Sequence, residues 1–472
     1  EEFETWTGDD SGRGEGERGY LMVDPDGQWQ EDQASLPDHW FDAKGRRLQN
    51  YRDLEPKVLH VTPSGAVVDE GAEDALRCCF VPRPFMLCPS CGEAYTARDR
   101  EFRKLGRLSS EGRSTATTLL SIAAVSAMDK NGVEREACKV LSFTDNVQDA
   151  SLQAGHFNDF VQVALVRSAL CRGLQEQTRL RFDTVASAVV GHLAVEPSEY
   201  SKDPALQPDT PQARRAAEAF RDLVEYRIYE DLRRGWRVVQ PNLEQCGLLR
   251  IDYEGLKELA ASGGRWNGCV QMRALTVEQR EHVLRVVLDE LRRQLAIDAP
   301  CLVQERQKML QQNTSAYLSE RWAIDEEEHL RSASSFVMPG QRARGSQHSL
   351  SDRSALGRYL GRYIGRLQGG RLRSDDYTGF IVGVVEGLRH FGLITYDEAT
   401  QSVQVHQGAL NWCIGDGTPV VDELRRYRAQ SASYSQVETG PNEFFRSFCP
   451  AALDVLRRME GAEHTGQTSP QR

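Results

Sequence analysis

The chain has 472 residues, enough for about three domains, and is 40% hydrophobic and 27% charged, with 58 Lys and Arg against 69 Asp and Glu for a net charge of −11. It has no apolar run of roughly 18 residues to span a membrane, no collagen period and no excess of Pro, Gly and Ser, which leaves a soluble globular chain without a membrane partner. A net negative charge also argues against a polyanionic partner, unless Lys and Arg are clustered locally.

The chain begins at Glu1 rather than Met and carries no signal peptide, which predicts an interior piece of a longer protein. Residues 1–56 read as an acidic, irregular region, since 1–32 hold eleven acids and only Arg13 and Arg18. The eleven cysteines are odd in number and mostly scattered, which predicts reduced thiols and a cytoplasmic protein.

Residues 57–100 form the next unit. KVLHVTPSGAVV at 57–68 alternates apolar and polar residues around Pro-Ser-Gly, the pattern of a β-hairpin. A strand-like run from Leu76 then leads into CPSCG at 88–92, where Cys88 and Cys91 stand two residues apart with a Gly for the tight turn of a zinc knuckle. Cys78 or Cys79 is placed to supply a third ligand, and His60 is the nearest candidate for a fourth. A vestigial knuckle with free thiols is the alternative.

The pattern then turns to α/β. Residues 114–127 predict a helix capped by Ser114, with Thr118, Leu119, Ile122 and Ala123 on one face. KVLSFT at 139–144 is a short apolar run suited to a buried parallel strand, and it leads through a polar turn into a second helix over 150–174. The turn and the residues after it hold Thr144, Asp145, Asn146, Gln148, Asp149, Gln153, His156, Asn158 and Asp159, a density of hydrogen-bonding groups that points to a polar ligand at the strand's carboxyl edge. Gly112, Arg113 and Ser114 offer either a phosphate site at a helix N-terminus or, with Ser114, an ordinary cap.

Residues 181–335 predict a helical region, with a 3.6-residue period through Val283, Leu284, Val287, Leu288, Leu291 and Leu295. Trp236, Leu243, Leu248 and Leu249 read as core. From Arg331 to Arg373 the chain holds nine Arg and one acid, Asp352, so this segment is +8 and the remainder −19. Within 336–420 a basic linker precedes two helices, 354–367 and 375–391, and two strands, 393–396 and 402–406; that order predicts a winged-helix module. Arg358, Arg362 and Arg366 recur every four residues and share one helix face beside Tyr359 and Tyr363, a pattern suited to phosphates and stacked bases or, as the ordinary alternative, to a solvated face.

The run KVLSFTDNVQDASLQAGHFNDF, 139–160, resembles motif IV of superfamily 2 helicases, the first strand of the second RecA-like domain, in the form found in large bacterial DEAD/DEAH-box proteins. MEGAEHTGQTSPQR, 459–472, resembles the His-Thr-Gly element that follows the next strand of that domain, and RRGWRVVQPNLEQCGLLRIDYEGL, 233–256, is also similar. Val147 departs from the pattern, standing where these helicases often carry Arg.

The resemblance implies an α/β fold with a large α-helical insertion: a partial RecA-like domain at 101–180, resumed at 421–472, around the helical region and the winged helix. It implies ATP and Mg²⁺ as cofactors of the whole protein, DNA as a partner, and defence or repair proteins as associates. Thr144, Asn146 and Gln148 would line the track of one strand, His464 and Thr465 would meet its backbone, and Arg358, Arg362 and Arg366 would steer the duplex or the displaced strand. The chain has no GxxxxGK[ST], no DEAD or DEAH carboxylates and no QxxGRxGR, so no ATP hydrolysis is expected from it alone. The alternative reading is a non-enzymatic winged-helix DNA-binding adaptor or regulator with a zinc knuckle.

Overall fold

The computed structural model describes residues 18–24, 46–72, 74–87, 110–142, 147–233, 242–325, 328–370, 372–424, 443–457 and 459–462, with positions 29, 31, 36, 37, 40, 41, 89 and 95. It is a mixed α/β structure with three sheets among these residues.

The alternation at 57–68 forms strands β2 (Lys57–Val61) and β3 (Val67–Val68), joined by a turn in which Gly65 takes a φ of +83°. They pair with β1 (Gly19–Val23) and β4 (Leu76–Pro82) in an antiparallel sheet ordered β1-β4-β2-β3. Side chains alternate along a strand, so Tyr20, Met22, Val58, Cys79 and Val81 share a face, and that face packs on Trp29, Leu36, Trp40, Phe41 and Phe85 in a first core. The opposite face is also apolar: it carries Leu21, Val23, Leu59, Leu76 and Phe80, with Val23 58% and Leu76 50% exposed.

A second, larger core runs from Ile122 to Met459. Its axis is α2 (Val147–Gln177), whose stretch from Phe160 to Leu174 is mostly apolar and largely buried; α1 (Ser110–Lys130) lies on its first half and α3 (Val185–Leu193) on its second. Both helices include the ranges expected from the sequence. The strand expected at 139–144 is not seen in its described part: residues 138–142 form no strand, with Val140 42% and Leu141 74% exposed. A parallel strand needs hydrogen-bonding neighbours and covered faces, and none of the three sheets pairs with this run.

Strands then tie together segments far apart in sequence. β5 (Arg179–Arg181) and β6 (Leu249–Tyr253) flank β12 (Leu410–Ile414), with Trp412 opposite both Leu180 and Ile251. β7 (Ile297–Asp298) pairs in parallel with β11 (Ser402–His406). Strands and core therefore cross the expected boundary between 181–335 and 336–420. Helix α4 (Pro211–Glu230) packs against α3 and against α7 (Gln304–Tyr317), α5 (Leu256–Ala261) against α6 (Val277–Arg293). The start of α6 is set by a capping box, in which Gln279 N–H donates to Thr276 Oγ1 at 3.3 Å and Thr276 N–H to Gln279 Oε1 at 3.0 Å.

The helix, helix, hairpin order lies close to its expected positions: α8 (Ala355–Gln368), α9 (Ser374–His390), β10 (Ile394–Asp397) and β11. β11 sits between β10 and β8 (Ser335–Val337), and β9 (Gln347–Ser349) runs parallel to β8 at the edge.

One buried ion pair joins three of these parts. Arg292 of α6 is fully buried and forks onto Glu244, at 2.8 and 2.9 Å, while its Nε donates to the Tyr253 hydroxyl at 3.2 Å. Tyr253 in turn donates to Asp289 at 2.7 Å. Burial pushes the Asp289 carboxyl up, but Arg293 and Arg292 beside it and the Tyr253 hydroxyl outweigh that and hold it below its ordinary value. The network fastens the 242–248 turn and β6 to α6. Glu244→Ala leaves the Arg292 charge buried without its main partner and should destabilise the larger core by about 3–5 kcal/mol. The Glu244→Leu, Arg292→Met pair should recover much of that loss; urea midpoints of the three proteins decide the matter.

Candidate nucleic-acid interface

The arginine stripe divides on inspection. α8 starts where the Ser354 hydroxyl accepts from Gly357 N–H at 2.9 Å and ends at Gly369, whose φ of +77° closes the helix. Arg362 and Arg366 are exposed one turn apart, about 6 Å along the axis. Arg358 is half-buried, and its guanidinium donates to the carbonyls of Leu36 at 3.0 Å and Arg353 at 2.9 Å. Arg353 lies over the Phe41 ring at 5.1 Å. Two arginines of the basic segment thus join the small core to the large one, and Arg358 is half-buried in that joint whereas the other two are exposed. Arg342 and Arg344, between β8 and β9, are exposed.

Tyr359 and Tyr363 do not present their rings as an open stacking platform. Tyr359 is buried, its hydroxyl 2.8 Å from His282 Nε2 of α6, and the Tyr363 ring lies 4.8 Å from that imidazole. Burial lowers the His282 pKa from the usual 6.5, and the nearby Glu423 carboxylate only partly offsets this.

A second cluster forms where α2 meets the end of the described chain. The Asn158 side chain accepts from Gly461 N–H at 2.7 Å and donates to the Gly461 carbonyl at 2.8 Å, pairing with that residue as another peptide group would. A Cβ on Gly461 would stand 3.2 Å from the Phe157 ring, a tight contact that a side chain could make only if the ring gave way by a few tenths of an ångström. Arg321 holds the same segment from the other side, donating to the carbonyls of Arg457 at 2.8 Å and Leu456 at 3.3 Å, and burial lowers its pKa. His156, two residues before Asn158, pairs with Thr118 of α1 at 3.1 Å. The polar residues of the 153–159 run thus include two that make internal joints. The space beside the joint, lined by Asn158, Gln162, Arg321 and Met459, has room for about one water molecule, far less than a small-molecule site needs.

Several expected site residues are not placed by these contacts. Thr144, Asn146, His464 and Thr465 lie outside the described residues, as do Cys88, Cys91 and Trp236; Gln148 falls in the first turn of α2 with its side chain outside them. For zinc, Cys78 stands opposite Leu59 on the outer face of the first sheet, whereas His60 stands opposite Arg77 on the core face, so these two cannot share one ion. Cys79 is fully buried in the small core and its thiol is pushed up to about 12 by burial, which disfavours the thiolate a metal requires. Among the described residues no group of three or more His, Cys, Asp or Glu is arranged to hold a metal. The knuckle expectation therefore rests on Cys78, Cys88 and Cys91, and among the described residues none stands as their fourth ligand. Leu243 and Leu249 are core, as expected.

The Asn158–Gly461 clamp and the Arg321 brace were not foreseen. Their partners are backbone groups up to 303 residues away, and a side chain's choice of a remote peptide group leaves no pattern in a single sequence. The chain matches no protein-family model, no curated protein and no solved structure. No described helix is long and apolar enough to cross a membrane.

Two outcomes follow from this geometry. Asn158→Ala removes both hydrogen bonds to Gly461 and should destabilise the joint by about 2 kcal/mol, read as faster amide exchange at residues 459–462 with little change elsewhere. Because His282 is harder to protonate folded than unfolded, the stability it contributes is fully present above 6.5 and is lost as pH falls below that value. His282→Gln should flatten the pH dependence of the urea midpoint on that acid side.

Proposed function

We propose that the chain is part of an ATP-dependent DNA helicase or translocase of superfamily 2, resembling DEAD/DEAH-box proteins, and that it supplies nucleic-acid binding and part of the second motor domain. The observation that carries this reading is the Asn158–Gly461 clamp: it joins the run that resembles motif IV to the segment that leads into the His-Thr-Gly element. In a motor, that joint would let a shift of α2 move the residues that touch the strand.

In the same reading β8, α8, α9 and the β10–β11 hairpin are a winged helix, supported by the central position of β11 between β10 and β8. ATP and Mg²⁺ belong to the cleft between the two motor domains of the whole protein, a structural zinc to Cys78, Cys88 and Cys91, and defence or repair proteins to its partners in the cytoplasm. Within this chain Arg362 and Arg366 bind phosphate, because a guanidinium offers forked donors that stay charged at any working pH.

The second reading, a non-enzymatic winged-helix adaptor, is favoured by one observation: residues 138–142 stand outside any sheet with Leu141 exposed, where a motor would bury its first strand. Hydrolysis separates the two. The chain alone should bind labelled single strands and duplexes in anisotropy titrations and release no phosphate from ATP and Mg²⁺. The protein with its flanking sequence should hydrolyse ATP faster when DNA is added. Binding without DNA-stimulated hydrolysis in that longer protein would leave the adaptor.

A further inference from the structure

We infer that the module formed by β8, α8, α9 and the hairpin grips nucleic acid by the phosphate backbone, through α8, and does not read base sequence, because its second helix is committed elsewhere. The inference rests on the nucleic-acid reading above and narrows it to one class of ligand contact.

Readout of bases in a duplex needs a helix or ribbon that enters a groove with donors and acceptors on its exposed face. In a helix, helix, hairpin module the second helix is the one placed to do so. Here that helix is α9, and two sides of it are taken. Tyr377, Phe380, Ile381, Val384, Val385 and Leu388 are buried in the large core. A neighbouring side is covered by the 263–273 segment: a Cβ on Gly383 would stand 2.9 Å from Cys269 Cβ, and one on Gly387 2.6 Å from the Trp266 ring. The cover is also hydrogen-bonded, since Arg265 donates to the Glu386 carbonyl at 3.0 Å. The two glycines let this segment lie directly against the helix.

What α9 leaves exposed repels a polyanion. Asp375, Asp376 and Glu386 are exposed along it, and between them stand Thr378 and Gly379. Its basic residues come only in the last turn, where Arg389 pairs with Glu398 at 3.1 Å and lies over Tyr396 at 5.0 Å. Three carboxylates brought into a groove walled by phosphates meet like charge over the helix up to its last turn. α8 has the reverse character: Arg362 and Arg366 are exposed on it, and the loop before β9 adds exposed Arg342 and Arg344. Such contacts position a protein on the backbone and carry no base information of their own.

The test uses the whole chain and three fluorescent probes: two duplexes of equal length and unrelated sequence, and a single strand. The unaltered chain should bind the two duplexes within about threefold of each other, with affinity falling steeply as salt rises. R362A combined with R366A should weaken binding to both by about tenfold and lower the slope of log K against log salt by about 2, with an unchanged circular dichroism spectrum. T378A and E386Q on α9 should leave affinity within about twofold. A strong preference for one duplex that T378A or E386Q abolishes would overturn the inference while leaving nucleic-acid binding intact, as would binding unaffected by loss of the two arginines. No binding by the unaltered chain to any of the three probes would overturn the nucleic-acid reading itself, and this inference with it.

Discussion

The architecture depends on a charge that has been taken out of water. Arg292 is fully buried, and only the fork onto Glu244, the Tyr253 hydroxyl and Asp289 make that tolerable. Each partner comes from a different place: Glu244 from a turn, Tyr253 from a strand and Asp289 from the same helix one turn earlier. Satisfying the guanidinium therefore fixes the angle between α6 and the β5-β12-β6 sheet. Hydrophobic burial alone would leave that angle loosely set, since apolar contact has no direction. The same helix reaches α8 through His282 and Tyr359, so the orientation of the basic helix follows from the ion pair.

Local pattern proved legible and remote pairing did not. The hairpin at 57–68, the helices around 114–127, 278–295, 354–367 and 375–391 and the strands at 393–396 and 402–406 were readable because alternation and the 3.6 period act within a few residues, whereas Ser114, read as a cap, lies inside a helix that starts at Ser110. β5 and β6 were not, because three or five residues inside a helical region acquire strand geometry only from β12, more than 150 residues later. The run at 139–142 failed in the opposite sense. Its Val and Leu have strand character, yet no sheet pairs with it, and propensity without a partner strand does not make a strand. In the candidate interface, the period-four arginines were visible, but their division was not: the carbonyls of Leu36 and Arg353 that Arg358 reaches leave no mark in the spacing of the arginines.

Glycine has two opposite uses in the adjoining helices α8 and α9. In α8 Gly357 lies against the 351–352 backbone at the helix start, where a Cβ would meet the Ser351 carbonyl, while Gly361 faces open space. In α9 Gly383 and Gly387 are recesses filled by Cys269 and Trp266. A helix normally loses stability at each internal glycine, so the loss in α9 is offset by close packing of a segment that would otherwise stand off. The resulting asymmetry, one helix open and basic and the other closed and acidic, bears on any ligand the module meets.

The two hydrophobic cores are separate clusters, and among the described contacts between them are the Arg358 bond to the Leu36 carbonyl and the Arg353–Phe41 stack. Contacts of this kind give weak cooperativity, because a few hydrogen bonds couple two cores by only a small fraction of what each gains internally. Heating should then melt the small, tryptophan-rich core and the large one as distinct events, each with its own enthalpy. A calorimetric trace fitted with one transition would report a melting temperature belonging to neither part, and tryptophan fluorescence and helical ellipticity would not follow the same curve.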